Sequence, residues 1–269
     1  MIASTSVSIV TAASKKWRSD LAAWAIPAEI LAQAPQSPWI HPPEIFTVTG
    51  AIPDSPSHRR AREALPEGGS VLDVGCGGGR AALALADRAG LVVGIDHQAE
   101  MLQQFAAAAR ERGLVHEQVL GDWPEAADRA PEADVVVCHH VVYNVPELGP
   151  FLLRLGQHAR HRVVLELPVV HPLTRMSPLW KHFWNVDRPL APSAADALAV
   201  AREAGIEANL EVWPDEDFST RVPLTLEKQA HFMRIRLCLP AEREAEVAAA
   251  MASSDQNARR ELATLWWDV

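Results

Sequence analysis

From Ser70 onward, short β-branched runs alternate with longer alanine- and leucine-rich ones. "SVLDVG" (70–75) predicts a first strand, followed by a helix from about Gly79 to Arg88. "LVVGID" (91–96) predicts a second strand. The helix after it, "QAEMLQQFAAAARER", sets Met101, Leu102, Phe105 and Ala109 on one face and stops at Gly113. "EQVLG" (117–121) and "DVVVCHH" (134–140) are the third and fourth strands. A helix through "PFLLRLGQHAR" leads to the fifth, "RVVLELP" (162–168), which Pro168 stops. The strands are nearly continuous in apolar content rather than alternating, which predicts a parallel sheet covered by helices on both faces. Beyond them the pattern predicts a helix near 193–204, strands in "IEANLEVW" and "QAHFMRIRLCL", and a helix from Pro240 onward. No convincing helix separates those last two strands, so the final one is expected to pair antiparallel.

Two segments break the alternation. Residues 1–65 are rich in Pro and Trp and form an N-terminal cap segment ahead of a domain spanning 66–269. Residues 168–192, "PVVHPLTRMSPLWKHFWNVDRPLAP", form an insert of the length and composition of a functional lid. Both are expected over the same edge of the sheet. The C-terminal "RRELATLWWDV", with its paired tryptophans, is read as docking on the core or on a second subunit.

Composition narrows the class. With 269 residues, 48% hydrophobic and 22% charged, the chain suits one large globular domain. A net charge of −9 predicts no basic face for nucleic acid. Cys76, Cys138 and Cys238 are far apart and odd in number, so neither a zinc site nor a disulfide framework is expected, and a reducing, cytoplasmic setting fits. The opening "MIASTSVSIVTAASKKW" has no basic region ahead of its weakly apolar stretch and reads as a frayed terminus rather than a signal peptide. No run approaches a membrane span.

The candidate chemistry begins at "VLDVGCGGGR". Glycines between a strand and a helix permit positive φ, close approach of a ligand, and exposed backbone N–H groups. A dinucleotide fingerprint needs a third glycine for tight packing. Counted from Gly75 that place falls on Arg80; counted from Gly77 it falls on Ala82, which the looser form allows. Asp73 lies two residues ahead of Gly75, and the resulting D-V-G-C-G-G-G resembles the first motif of the class I S-adenosylmethionine-dependent methyltransferases. A carboxylate beside the loop suits a cofactor carrying an ammonium and a sulfonium and would repel a diphosphate.

The resemblance continues at the carboxyl ends of the next strands, through "GIDHQAEML", "LGDWPEA" and "CHHVVYNVPEL". It covers residues 66–168 well and the remainder by strand order only. It implies a Rossmann-like α/β fold, doubly wound, with a mostly parallel seven-stranded sheet, an N-terminal helical cap and an inserted lid after the fifth strand. It implies S-adenosylmethionine as cofactor, with S-adenosylhomocysteine as product. By position, Asp73, Gly75, Cys76, Gly77 and Gly79 form the loop. Asp96 takes the ribose hydroxyls, His97 packs on the adenine, Asp122 accepts from its amino group, and Met101 and Gly121 are further cofactor-binding positions. Trp123 walls the ring, although a partly core role suits so large an aromatic equally. His139 borders the sulfonium.

The acceptor side is read from the residues. Methylating a hydroxyl requires positioning and a general base. His140 is the preferred base, with His171 as alternative or partner and His139 beside them. Adjacent histidines diverge in extended chain and no acidic pair accompanies them, so no metal is expected. Glu166 interrupts a buried strand and must find a partner; the reading leans to Arg162 or Arg175 over a place in the acceptor pocket. Tyr143, Asn144, Trp39, Arg175, Trp180 and Trp184 are further acceptor-side candidates, though most loop tryptophans act as anchors. Lys181 and Arg188 are cations available for an anionic group.

These expectations converge on an enzyme methylating a small molecule, most simply at oxygen, acting as monomer or homodimer without nucleic acid or a membrane span. N- or C-methylation and a non-catalytic cofactor-binding scaffold are the alternatives. An NAD-dependent oxidoreductase would need a Tyr-x-x-x-Lys pair, whereas Tyr143 is followed four residues on by Glu147.

Overall fold

The computed structural model describes residues 11–39, 46–48, 50–215, 225–253 and 260–269. The expectation of a frayed terminus over the first ten residues lies outside them. Among the described residues, seven strands form one sheet: β1 (Gly69–Val74), β2 (Ala89–Asp96), β3 (Val115–Leu120), β4 (Ala133–His139), β5 (Ala159–Pro168), β6 (Asn209–Pro214) and β7 (Glu261–Asp268). Their order is β3-β2-β1-β4-β5-β7-β6. All neighbouring pairs are parallel except those made by β7, which runs antiparallel to both β5 and β6. This is the doubly wound α/β sheet, with its switch point between β1 and β4, where the carboxyl ends open a crevice.

Helices cover both faces. On one lie α3 (Pro56–Ala64), the short α4 (Arg80–Leu83) and α5 (Ala99–Glu111); on the other, α1 (Ala12–Ala22), α6 (Leu148–Gly156) and α8 (Ala194–Glu203). Continuous apolar runs make β1, β4 and β5 buried on both sides, as their sequence predicts. The edge strand β3 differs, with Val115 and Leu120 exposed. Leu165, fully buried on β5, belongs to the α1–α6–α8 core. Leu165→Ala is expected to cost about 2–5 kcal/mol of unfolding free energy, measured by denaturant titration.

Three features differ from the sequence expectation. "QAHFMRIRLCL" is no strand: helix α9 (Leu226–Arg236) runs through it, started by Thr225, whose side chain accepts from the Lys228 N–H at 3.3 Å. Its buried residues Ala230, Arg234 and Ile235 follow helical spacing, and the alternating apolar residues around them mislead. The seventh strand is instead the C-terminal "ELATLWWD", read above as a docking segment. Between β5 and β6 it is buried on both faces, and such a run carries no period that separates strand from helix. The helix expected over 79–88 is regular only over Arg80–Leu83 before turns lead into β2.

The insert after β5 is a packed element. It contains a 3-10 turn (Pro172–Met176) and α7 (Ser177–Trp184). These join α2 (Ala28–Leu31), α9 and α10 (Glu244–Ser253) around a third core that includes Ile30, Met176, Trp180, Leu237 and Val247. No described helix is long and apolar enough to cross a membrane.

Candidate functional site

The glycine loop leaves β1 at its carboxyl end. Gly75, Gly77 and Gly79 have φ of +69°, +49° and +90°, conformations that side-chain-bearing residues rarely adopt. Gly78 serves a different need: a Cβ there would lie 1.9 Å from the Phe46 carbonyl oxygen, so the N-terminal segment crosses directly over the loop. Val48, next along that segment, is buried in the same core cluster as Cys76.

Asp73 is buried beneath the loop and accepts from the Ala82 N–H at 3.1 Å, tying strand to helix start. Burial pushes its carboxyl up to about 7, with Asp96 adding to the rise against the Ala82 hydrogen bond. Between the unfolded value near 3.8 and about 7, the folded protein keeps a proton that the unfolded chain releases. Stability from this group is therefore full below pH 3.8 and falls as pH rises to about 7, by on the order of 4 kcal/mol. Asp73→Asn retains an acceptor for Ala82 and should remove that slope, so denaturant titrations at pH 5 and pH 8 should differ less for the variant than for the parent.

Asp96 ends β2 buried, with one carboxylate oxygen accepting from the Gly77 N–H at 3.0 Å and the other from the Gln98 N–H at 2.9 Å. Those bonds fix the carboxylate at the crevice and leave lone pairs for a diol. His97, exposed, follows it; Met101 is buried on α5. Gly121 and the exposed Asp122 follow β3. Trp123 packs edge-on to His158, ring centroids 4.9 Å apart, against the α1–α6–α8 core.

At the ends of β4 and β5 the structure assembles a second group. The His140 backbone is left-handed, φ 62°, and its N–H donates to the Glu166 carbonyl at 2.7 Å. A non-glycine residue in that region is uncommon and clusters at functional sites. The turn brings His140 Nε2 within 3.1 Å of Glu166 Oε1, while Ser55 Oγ donates to Glu166 Oε2 at 3.0 Å. Glu166 is only 4% exposed. Burial alone would raise its carboxyl, but the charges of His139 and His140, the His140 hydrogen bond and His58 outweigh that and hold it well below the usual range. An ionised carboxylate only accepts, so Nε2 of His140 is the donor of this pair.

The lean toward Arg162 or Arg175 as the partner of Glu166 is thus corrected. Arg162 is engaged with Asp268 at 2.6 Å and Glu63 at 3.1 Å, and the hydrogen bonds to Glu166 come from a histidine and a serine. Ser55 escaped the sequence reading; its signal is the Ser-Pro start of α3, where it also accepts from the His58 N–H at 3.2 Å. Ser55→Ala is expected to cost about 1–2 kcal/mol in a denaturant titration, since it removes a helix cap and leaves a buried carboxylate oxygen short of a donor. His58 stacks on His139, centroids 5.6 Å apart; burial lowers its pKa despite the pull of Glu166, Asp54 and the Pro53 carbonyl.

His171 is not part of this group. It stacks on Trp24 at 4.0 Å, lies edge-on to Tyr143 at 5.2 Å, and accepts from the Leu173 N–H. Burial and then Arg188 push its pKa down to about 4. Tyr143 is buried, its hydroxyl donating to the Pro168 carbonyl at 2.7 Å; Asn144 beside it is exposed. Trp180 is buried in the third core, Trp184 Nε1 donates to the Leu237 carbonyl at 2.7 Å, and Trp39 is 58% exposed. Arg188 lies over the rings of Trp24 and Trp180 and donates to the Trp24 and Ala25 carbonyls, and Lys181 pairs with Asp187. Arg175 is exposed, although partial desolvation of its guanidinium lowers its pKa.

Comparison with known proteins bears on the same region. Residues 71–160 match the family described as "Methyltransferase domain". The ubiquinone biosynthesis O-methyltransferase of Klebsiella pneumoniae is 40% identical over 81 residues, 30% of this chain and 34% of that protein. The chain therefore spans about a third of the length of the curated relatives it matches. A SAM-dependent methyltransferase from Thiobacillus denitrificans, solved with S-adenosyl-L-homocysteine, superposes with TM-score 0.53 at 17% identity, covering 90% of this chain and 98% of that one. Coclaurine N-methyltransferase, solved with N-methylheliamine and SAH, gives 0.52 at 14% identity, covering 96% and 87%. At those identities the likeness is one of fold.

Proposed function

We propose that this chain, whose residues 71–160 form a methyltransferase domain on the class I S-adenosylmethionine-dependent fold, methylates a small molecule at oxygen with His140 as general base. The single observation that carries the reading is the pairing of His140 Nε2 with an ionised, buried Glu166 at 3.1 Å, beside the loop of positive-φ glycines.

The residues present fit the cofactor. The loop's left-handed glycines leave its backbone open to close approach, and the Asp96 carboxylate, fixed by two backbone N–H groups, is placed for a ribose diol. S-adenosylmethionine bound there supplies a methyl carbon made electrophilic by its sulfonium. His140 Nδ1 takes the proton of the acceptor hydroxyl as the oxygen becomes nucleophilic, and Glu166 stabilises the resulting imidazolium and fixes the ring tautomer. Ser55 holds the other carboxylate oxygen, so Glu166 keeps its aim. The 1–65 segment and the helical insert at 168–192 are read as the cap that keeps water from the acceptor side. Buried free thiols at Cys76, Cys138 and Cys238 support a reducing, cytoplasmic setting.

Transfer from methyl-labelled S-adenosylmethionine to paired hydroxyl- and amine-bearing aromatic acceptors tests this reading. Label on the hydroxyl compounds is expected. Label on amines alone would make the protein an N-methyltransferase, and cofactor binding without any transfer would favour a scaffold.

A further inference from the structure

The chain ahead of α3 touches both halves of the site. Its described residues 46–48 and 50–55 begin on the glycine loop and end on the acidic partner of His140. At the loop, a Cβ on Gly78 would overlap the Phe46 carbonyl oxygen and meet Val48 Cγ2 at 3.5 Å; one on Gly77 would meet Phe46 Cδ1 at 3.4 Å. Gly75, Gly77 and Gly79 are left-handed and Gly78 is not, so its missing side chain serves this crossing rather than the turn. Val48 is buried and Ile52 partly so, both in the core that holds Cys76 and Phe105. The Gly50 carbonyl accepts from Arg112 Nη2 at 2.8 Å, tying the segment to the end of α5. At the far end, Ser55 Oγ donates to Glu166 Oε2 at 3.0 Å. A donor that aims a carboxylate does so only while it is held within about 0.5 Å of its place.

We infer that this segment is a positioning strap: seated on Gly78 through Phe46 and Val48 and ending at Ser55, it couples the glycine loop to the His140–Glu166 pair. A strap displaced from the loop takes the Ser55 hydroxyl with it, and Glu166 loses the donor that fixes its second oxygen. The inference rests on the proposed function for the roles of loop and base, though not for the coupling itself.

Nitrogen-15 NMR of the imidazoles in the full chain tests this without cofactor or turnover. The signal read is the His140 Nε2–H, identified by its loss in His140→Gln, and the quantity is its rate of exchange with water. Ser55→Ala is expected to speed that exchange several-fold. Val48→Ala unseats the strap while leaving the loop's own residues unchanged, and Gly78→Ala pushes on the Phe46 carbonyl without backbone strain; both are expected to do the same. Combining Val48→Ala with Ser55→Ala should add little, since both act through one hydroxyl. His158, whose ring nitrogens meet the Arg154 and Ala127 carbonyls, is the internal control and should keep its parent rate. A parent rate at His140 in Val48→Ala or Gly78→Ala would overturn the coupling, as would the absence of a protected Nε2–H in the parent. Faster exchange at His158 as well would also overturn it, since that means general loosening. Should Gly78→Ala not fold, Val48→Ala decides alone. A parent-like kcat beside faster exchange at His140 would count against the proposed base and leave the strap standing.

Discussion

Replacing His140 by alanine is expected to lower turnover by about 10²- to 10⁴-fold while leaving cofactor affinity within a factor of about two. The size follows from the task. An unactivated hydroxyl is a weak nucleophile, and in the proposed mechanism His140 takes its proton. The selectivity follows from placement: Asp96 and the glycine loop, proposed to hold the nucleoside, belong to β1 and β2, whereas His140 follows β4 and is tied to β5. Glu166→Gln should cost nearly as much, because an amide can donate to Nε2 and turn the imidazole to the tautomer whose Nδ1 bears the proton. The double variant should be little worse than either single, since the pair acts as one unit. Steady-state kinetics on the four proteins check this. Additive losses would mean that His140 and Glu166 act separately.

Asp96→Ala carries the second large effect, about a 10²- to 10³-fold loss of affinity for S-adenosylhomocysteine by calorimetry. A hydrogen bond to a charged group contributes about 1.5–3 kcal/mol, and this carboxylate is placed to accept two from the ribose. The Gly77 N–H, now bound to Asp96 Oδ2, would also lose its partner and loosen the loop. Asp96 and His140 therefore make a matched pair of tests, one moving binding and the other turnover.

The residues proposed for the cofactor could be picked from the sequence because their pattern is local. Asp73, the glycines and Asp96 stand at fixed distances from the ends of apolar runs, and backbone conformation at a strand-to-helix turn depends on residues a few places apart. The first five strands begin and end within a few residues of their predicted limits for the same reason. The acceptor half depends on residues distant in the chain. Glu166 pairs with His140, twenty-six positions away, and with Ser55 at a separation of 111; nothing in "VVLELP" distinguishes that partner from Arg162. His171 stood in sequence as the alternative or partner to His140, yet its aromatic bed of Trp24 and Tyr143 comes from two other elements. β7 was hidden because a strand buried on both faces carries no alternation, and the antiparallel expectation for the last strand was attached to the wrong segment.

Calorimetric titration of the parent protein with S-adenosylhomocysteine and, separately, with NADH tests the central claim most directly. The account predicts one-to-one binding of S-adenosylhomocysteine that Asp96→Ala weakens by about 10²- to 10³-fold, with no heat from NADH. Saturable binding of NADH with none for S-adenosylhomocysteine would contradict it.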